Sequence, residues 1–383
     1  MAHEPSPGVT LRVPMKHDSL RVEFDGAEIE ALYQDLISLE VELDDRLAAM
    51  FRLTLALPPR PDGTWPHLDD DRLALWRKVV ITAGLEDDAR RLISGYITHL
   101  RPSFGAELND CRLEVWGMDA SVLMDRGDRL RAWPNKRDSD IATEVFGEYG
   151  LTPRITRTDV VHEEEISTIV QRESDIRLLR RLAQRNGFDC YVDGDVGHFG
   201  PPATDAPPQP VLAAHFGPET NLSTLRLQAQ ALAPTGVSMN QVDRFSGDII
   251  EAKAQPGHLP ALGARRVTDR PGVLHVGHVV TTGLQEMTAL CQSLQDEAEW
   301  FVTGEGEVMA GCYGSVLLPR GTVTIKGIGE AHSGVYYVTH VTHSFTGDGY
   351  VQAFKIRRNG LKLTGKEQFT TGGPMAALIG GTR

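Results

Sequence analysis

YITHLRPSF at residues 96–104 and YVTHVTHSF at residues 337–345 are the two stretches on which the reading of this chain turns. Five of nine positions are identical, and Ile97/Val338 and Leu100/Val341 exchange one apolar side chain for another. Both stretches alternate apolar and polar residues, as half-buried strands do. Their flanks agree as well. RKVVIT at 77–82 and RGTVTI at 320–325 precede them at similar distance, Ser94-Gly95 and Ser333-Gly334 stand just before them, and a further strand-like run comes after each. Self-similarity at this separation predicts a tandem duplication of one β-domain, the alternative being two unrelated hairpins. On that reading Tyr96, Phe104, Tyr337 and Phe345 occupy equivalent core or hairpin positions.

Elsewhere in the chain, short bursts of period two recur at Leu11–Val13, Leu20–Phe24, Leu39–Leu43, Phe51–Leu57 and Cys111–Val115, with Asp25-Gly26 as a turn. Two helices interrupt the pattern. One starts at Asp138 or Ser139 and stops at Gly150; the other starts at Ser174-Asp175 and stops at Gly187, glycine being the residue that ends a helix in a left-handed conformation. The row Arg177, Arg180, Arg181 and Arg185 reads as a solvated helix face. Asp193-Gly194 centres a hairpin, and prolines 201, 202, 207, 208 and 210 mark a linker. One more helix is expected over about 287–302. The fold class is therefore α+β, mainly β: two tandem similar β-barrel-like domains with an α/β insertion between them. The expected boundaries are residues 1–122 for the first β-barrel-like domain, 123–200 for the insertion, 201–232 for the Pro-rich linker, 233–365 for the second β-barrel-like domain and 366–383 for a flexible tail.

Composition narrows the function. The 383 residues carry a formal charge of -13, with an isoelectric point of about 5.5. Such a surface repels phosphate backbones and anionic lipid, so neither nucleic acid nor membrane is an expected partner. No apolar run approaches the roughly 20 residues that cross a bilayer, and the first twenty residues lack a signal-like apolar stretch. Cys111, Cys190, Cys291 and Cys312 have no C-x-x-C spacing and read as free thiols in a reducing compartment.

Duplication has a geometric consequence. A chain holding two similar domains forms, with three copies, a ring of six near-equivalent positions, able to meet a sixfold partner on one face and a threefold partner on the other.

QRESDIRLLRRLAQRNGFDCYVDGD at 171–195 resembles the signature helix and strand of the phage late-control protein D family. The same pattern marks the N-terminal half of VgrG spike proteins and the hubs of extracellular contractile injection systems. SGYITHLRPSF at 94–104 with LEVWGMDASVLMDR at 113–126 resembles that family's first barrel, and DSDIATEVFGEYGL at 138–151 its helical insert. SGVYYVTHVTHSFTGDGYVQAFKIRRN at 333–359 resembles its closing hairpin. The resemblance implies a homotrimeric pseudo-hexameric baseplate hub that joins a hexameric inner tube protein to a trimeric spike and other baseplate components. VgrG-type chains continue into an oligonucleotide-fold domain and a β-helix needle, and this sequence stops at Arg383 without them, so the spike is expected as a separate protein. Assembly is expected in the cytoplasm, into a phage tail or injection particle.

Catalytic and metal signals are weak beside this. His275/His278 and His340/His343 have H-x-x-H spacing but fall in strand-like segments, where positions i and i+3 face opposite ways. Asp69–Asp71 near His67 and Glu163–Glu165 near His162 read as solvated acidic runs. Gly304-x-Gly306 and Gly327-x-Gly329 lack the rest of a phosphate loop and read as turns. No catalytic, cofactor or metal residue is nominated. The structural nominations are Ser174, Asp175, Gly187, Tyr96, Phe104, Tyr337 and Phe345. The competing functions are a tail-associated cell-wall hydrolase, resting on the acidic runs and His99 or His340, and a carbohydrate-binding module.

Overall fold

A computed structural model of the chain describes residues 20–84, 89–267 and 269–369. The strand expected at Leu11–Val13 and residues 370–383 of the expected tail lie outside them. The first half contains β1 (Leu20–Phe24), β2 (Ala27–Glu28), α1 (Leu32–Asp35), β3 (Leu36–Asp44), β4 (Met50–Ala56), β5 (Lys78–Ala83), β6 (Arg90–Ser103) and β7 (Arg112–Asp119). An α/β lobe comes next with β8 (Arg129–Trp133), β9 (Lys136–Arg137), α2 (Asp138–Glu148), β10 (Thr152–Ile155), β11 (Val161–His162), α3 (Glu164–Ser167), β12 (Ile169–Glu173), α4 (Asp175–Asn186), β13 (Asp189–Asp193) and β14 (Val196–Gly200). The second half contains β15 (Gln209–Ala213), β16 (Leu222–Ala229), β17 (Gly236–Val242), β18 (Ile249–Lys253), β19 (Val273–Val276), α5 (Leu284–Ala298), β20 (Val302–Met309), α6 (Ala310–Tyr313), β21 (Gly321–Lys326), β22 (Gly334–Thr346) and β23 (Gly349–Arg358). The fold is α+β and mainly β.

Alternation in the sequence becomes a two-faced sheet. Leu39, Val41 and Leu43 of β3 are buried between half-exposed Glu40 and Glu42, and Val341, His343 and Phe345 of β22 are buried between half-exposed threonines and Ser344. Among the described residues, thirteen strands join into one sheet. Its path runs β3-β4-β7-β6-β5-β1 through the first half, and β16-β20-β23-β22 with β21 and then β15 through the second. Taken in chain order, five strands of each half occupy the same spatial order: first, second, fifth, fourth, third.

Register makes the duplication specific. Lys78 faces Tyr96 as Thr322 faces Tyr337. On the other side, each ladder breaks at the same place. The β6–β7 register skips Thr98 between Ile97 and His99, and the β22–β23 register skips Thr339 between Val338 and His340. In both copies the bulged threonine hydroxyl donates to the opposite carbonyl, of Trp116 at 3.3 Å and of Lys355 at 3.2 Å. A bulge bends its strand and re-aims the residues beyond it. The amide of Trp76 donates to Ile97 O and that of Arg320 to Val338 O, and both residues adopt left-handed backbone, with φ of 67° and 65°. That places Arg320 opposite Trp76 in the repeat rather than opposite Arg77. Ser94-Gly95 and Ser333-Gly334 are likewise not equivalent, since Gly95 takes the position of Tyr336.

Two expected boundaries change. Residues 201–232 are not a plain linker, because they contain β15, paired in parallel with β21, and β16, paired with β20. Pro210 is tolerated in β15 because the strand lies at an edge and its ladder to β21 is irregular between Gln209 and Leu212, and Gln209 bonds both the amide and the carbonyl of Leu318. Residues 233–365 are not one continuous domain either. The first half links β3 to β4 by residues 45–49, whereas the second half links β16 to β20 through the separate sheet β18-β17-β19 and α5. That lobe has its own core of Val237, Met239, Ala252, Val276, Met287 and Cys291.

The nominated equivalents also diverge. Tyr337 and Phe345 are fully buried, Tyr96 is half-buried, and Phe104 is 58% exposed, its ring meeting Trp65 edge-on. Phe345→Ala should therefore shift the denaturation midpoint by the equivalent of about 3–5 kcal/mol. Phe104→Ala should stay within about 1 kcal/mol; urea titrations of the two variants check this.

Candidate functional site: the joint between the two halves

β21 leaves β22 at the Gly321↔Val338 pair, and left-handed Arg320 carries the chain away. The bulge at Thr339 comes at once. The same side of β22 is then open, and β3 of the first half fills it in seven antiparallel pairs, from His340↔Asp44 to Thr346↔Ser38. Beneath the ladder Val341, His343 and Phe345 pack with Leu39, Val41 and Leu43. Burial of each of the apolar side chains contributes roughly 1.5–3 kcal/mol. This ladder is what makes one sheet of two halves.

At its end the chain turns through Asp44, Asp45 and Arg46, and charges gather. Burial works against ionisation of Asp44, but His340 at 3.2 Å and the amides of Arg46 and Leu47 bring its carboxyl down to about 2. Burial pushes Asp45 up to about 6, against the pull of Arg357 at 3.4 Å. Asp189 of β13 is raised by burial too, while the Arg357 charge and a 3.1 Å hydrogen bond from Tyr337 Oη oppose that shift. The Arg357 guanidinium lies 4.4 Å over Trp300 and 5.1 Å over Tyr337, and Glu297 of α5 binds both Arg357 and Arg46. Both halves and both lobes thus meet around one guanidinium. Three carboxylates about a buried arginine form a clamp, in which losing one partner strands a buried charge.

Ser174 precedes α4, but its hydroxyl donates to Asp125 rather than capping the helix. Asp175, buried, accepts from Tyr149 Oη and Gln171 Nε2 and pairs with Arg129 at 3.0 Å. Gly187 ends α4 with φ of 68°. The arginine row is less solvated than expected: Arg185 pairs with Asp138 and with Glu286 of α5, and Arg181 with Glu173. Arg185 therefore fastens the α/β lobe to the second one.

The weak chemical signals come apart. His67 turns to Asp35 and His162 to Asp138, both away from the neighbouring acidic runs. β19 ends at Val276, so His278 lies beyond the strand, while His275 bonds Ser238 Oγ. His340 is half-buried against Asp44, whereas His343 is sealed in the core with Nδ1 at 2.8 Å from Tyr350 Oη. No group of three or more His, Cys, Asp or Glu is placed to hold a metal among the described residues. Gly304 and Gly306 are not in a turn but inside β20, where a Cβ would stand 2.5 Å from Leu227 and 2.6 Å from Phe354. Gly327 and Gly329 have left-handed φ, as turns require. A shallow pocket under the second lobe contains one carboxylate, Glu299, paired with Arg266 at 3.1 Å. Cys111, Cys190 and Cys291 are buried free thiols, and Cys312 is an exposed one.

A family model described as the Alg8 N-terminal domain matches residues 15–347. The chain belongs to that family. No curated protein matches it in sequence. Its fold is shared with solved tail proteins. The prophage MuSo2 43 kDa tail protein of Shewanella oneidensis superposes with a TM-score of 0.64 at 14% identity, over 89% of this chain and 98% of that one. A tail protein of Neisseria meningitidis gives 0.61 at 12%, over 89% and 96%. An E. coli component of the type VI secretion system, described as structurally similar to the T4 tail proteins gp27 and gp5, gives 0.53 at 12%, over 88% and 76%. For this member of the Alg8 N-terminal family, those likenesses establish the architecture.

The sealed histidine sets a pH dependence. Burial pushes His343 down to about 3, so the folded chain keeps it neutral while the unfolded chain takes a proton below pH 6.5. The stability it contributes is complete above pH 6.5 and declines as pH falls toward 3, by up to about 1.4 kcal/mol per unit. His343→Phe should therefore gain on the wild type as the pH is lowered through that window, as midpoints measured at a series of pH values check.

Proposed function

We propose that the chain is a structural, non-enzymatic hub of a contractile tail or injection particle. Three copies close into a pseudo-hexameric ring between a hexameric inner tube and a trimeric spike, alongside other baseplate components. The observation that carries this reading is the matched register of the two halves, down to the bulged threonines. A chain with two such units presents in triplicate six near-equivalent positions, the arrangement a sixfold tube requires on one face and a threefold spike tolerates on the other. Likeness of fold to tail proteins and to a secretion-system component points the same way. The chain then assembles in the cytoplasm before joining the particle.

Light scattering with negative-stain microscopy tests this. The expected result is a three-chain ring with six lobes in face view. A protein that stays monomeric at high concentration, or a ring whose chain number is not a multiple of three, overturns it.

A further inference from the structure

The internal joint pairs the fourth strand of the second unit, β22, with the first strand of the first unit, β3. Each has a counterpart. β6 matches β22 through the bulges at Thr98 and Thr339. β16 matches β3 just as closely: β3 against β4 skips Ile37 between Leu36 and Ser38, and β16 against β20 skips Ser223 between Leu222 and Thr224. Leu36 thus corresponds to Leu222, Leu39 to Leu225, Val41 to Leu227 and Leu43 to Ala229. β6 past its bulge and the outer side of β16 have no strand partner among the described residues. One chain contains both halves of a second joint and does not bring them together.

We infer that β16 of one chain adds as an antiparallel strand to β6 of a second copy, in the register of the internal joint. Transferring that register sets His99 opposite Gln230, Leu100 opposite Ala229, Arg101 opposite Gln228, Pro102 opposite Leu227, Ser103 opposite Arg226 and Phe104 opposite Leu225. This inference rests on the ring reading and names the contact that closes it.

Three features support the match. Apolar residues fall on one face of both strands, Leu100, Pro102 and Phe104 against Leu225, Leu227 and Ala229, as Val341, His343 and Phe345 do against Leu39, Val41 and Leu43. Phe345 is buried by Leu39, so the exposure of its counterpart Phe104 is accounted for by a partner on another chain. No like charges face each other directly. The β16 edge also lacks the usual protections, with eight residues, no proline and a single charge, Arg226. Pro102 supplies no amide, so this ladder has one donor fewer than its internal counterpart, and side-chain fit must add to backbone pairing.

Cysteine pairs in a Cys312→Ser background test it on the full-length protein. Arg101→Cys with Gln228→Cys should give covalent dimers and trimers under mild oxidation, lost on reduction, while each single variant gives none. Arg101→Cys with Thr224→Cys, four residues out of register and so roughly 13 Å apart, should give none. A three-chain ring in which the matched pair does not cross-link, or cross-links no better than the shifted pair, overturns this inference and leaves the ring standing. A parent protein that never associates overturns both.

Discussion

A strand edge must be paired, covered or made unattractive, because its amides and carbonyls are otherwise an open template. The rest of this molecule depends on how β22 meets that requirement. The bulge at Thr339 turns the second part of the strand away from β21, and β3 enters the space left. Without that handover the two units would each end in free edges, and the chain would be two sheets on a tether. With it, Ala310, Val316, Phe345 and Tyr350 of the second half join the hydrophobic core of the first. The first unit contains the same bulge at Thr98 and so faces the same requirement, with no strand of its own to meet it among the described residues.

The charged clamp depends on the same handover. Asp45 donates its amide to the carbonyl of bulged Thr339, so the bulge also sets where Asp45 and Arg46 lie relative to Arg357. Buried charge clusters of this kind add little net stability compared with an apolar core, but they penalise every arrangement that leaves one charge unmatched. Glu297 from one lobe and Asp189 from the other bind or face the same guanidinium. The clamp thus brings residues of both lobes and of the joined sheet to one guanidinium.

Much of this is legible in the residues. Alternation marks β3, β4, β22 and β23, glycine ends α4 at 187, and the nine-residue match exposes the duplication. The failures have physical causes. β15 is hidden because prolines that would disqualify a central strand are acceptable at an edge. The second lobe is hidden because insertion leaves the flanking strands with their own alternation, so nothing local reports that β16 and β20 are neighbours. Gly304 and Gly306 look like turn residues because close strand approach and left-handed backbone both call for glycine. The clamp leaves no signal, since its partners lie far apart in sequence. Phe104 is exposed where its match Phe345 is buried, and the sequence match cannot report that β22 has β3 beside it whereas β6 has no strand on that side among the described residues.

If one joint occurs twice, once within a chain and once between chains, the two copies must differ in when they form. Amide hydrogen exchange compared between dissociated chains and the assembled ring reads that difference residue by residue. Residues 340–346 should be protected in both states, whereas within 99–104 and 222–229 the amides not already bonded to β7 or β20 should gain slow exchange only on assembly. Equal exchange of those two segments in both states, in a ring that is otherwise intact, would show that the joint occurs only once.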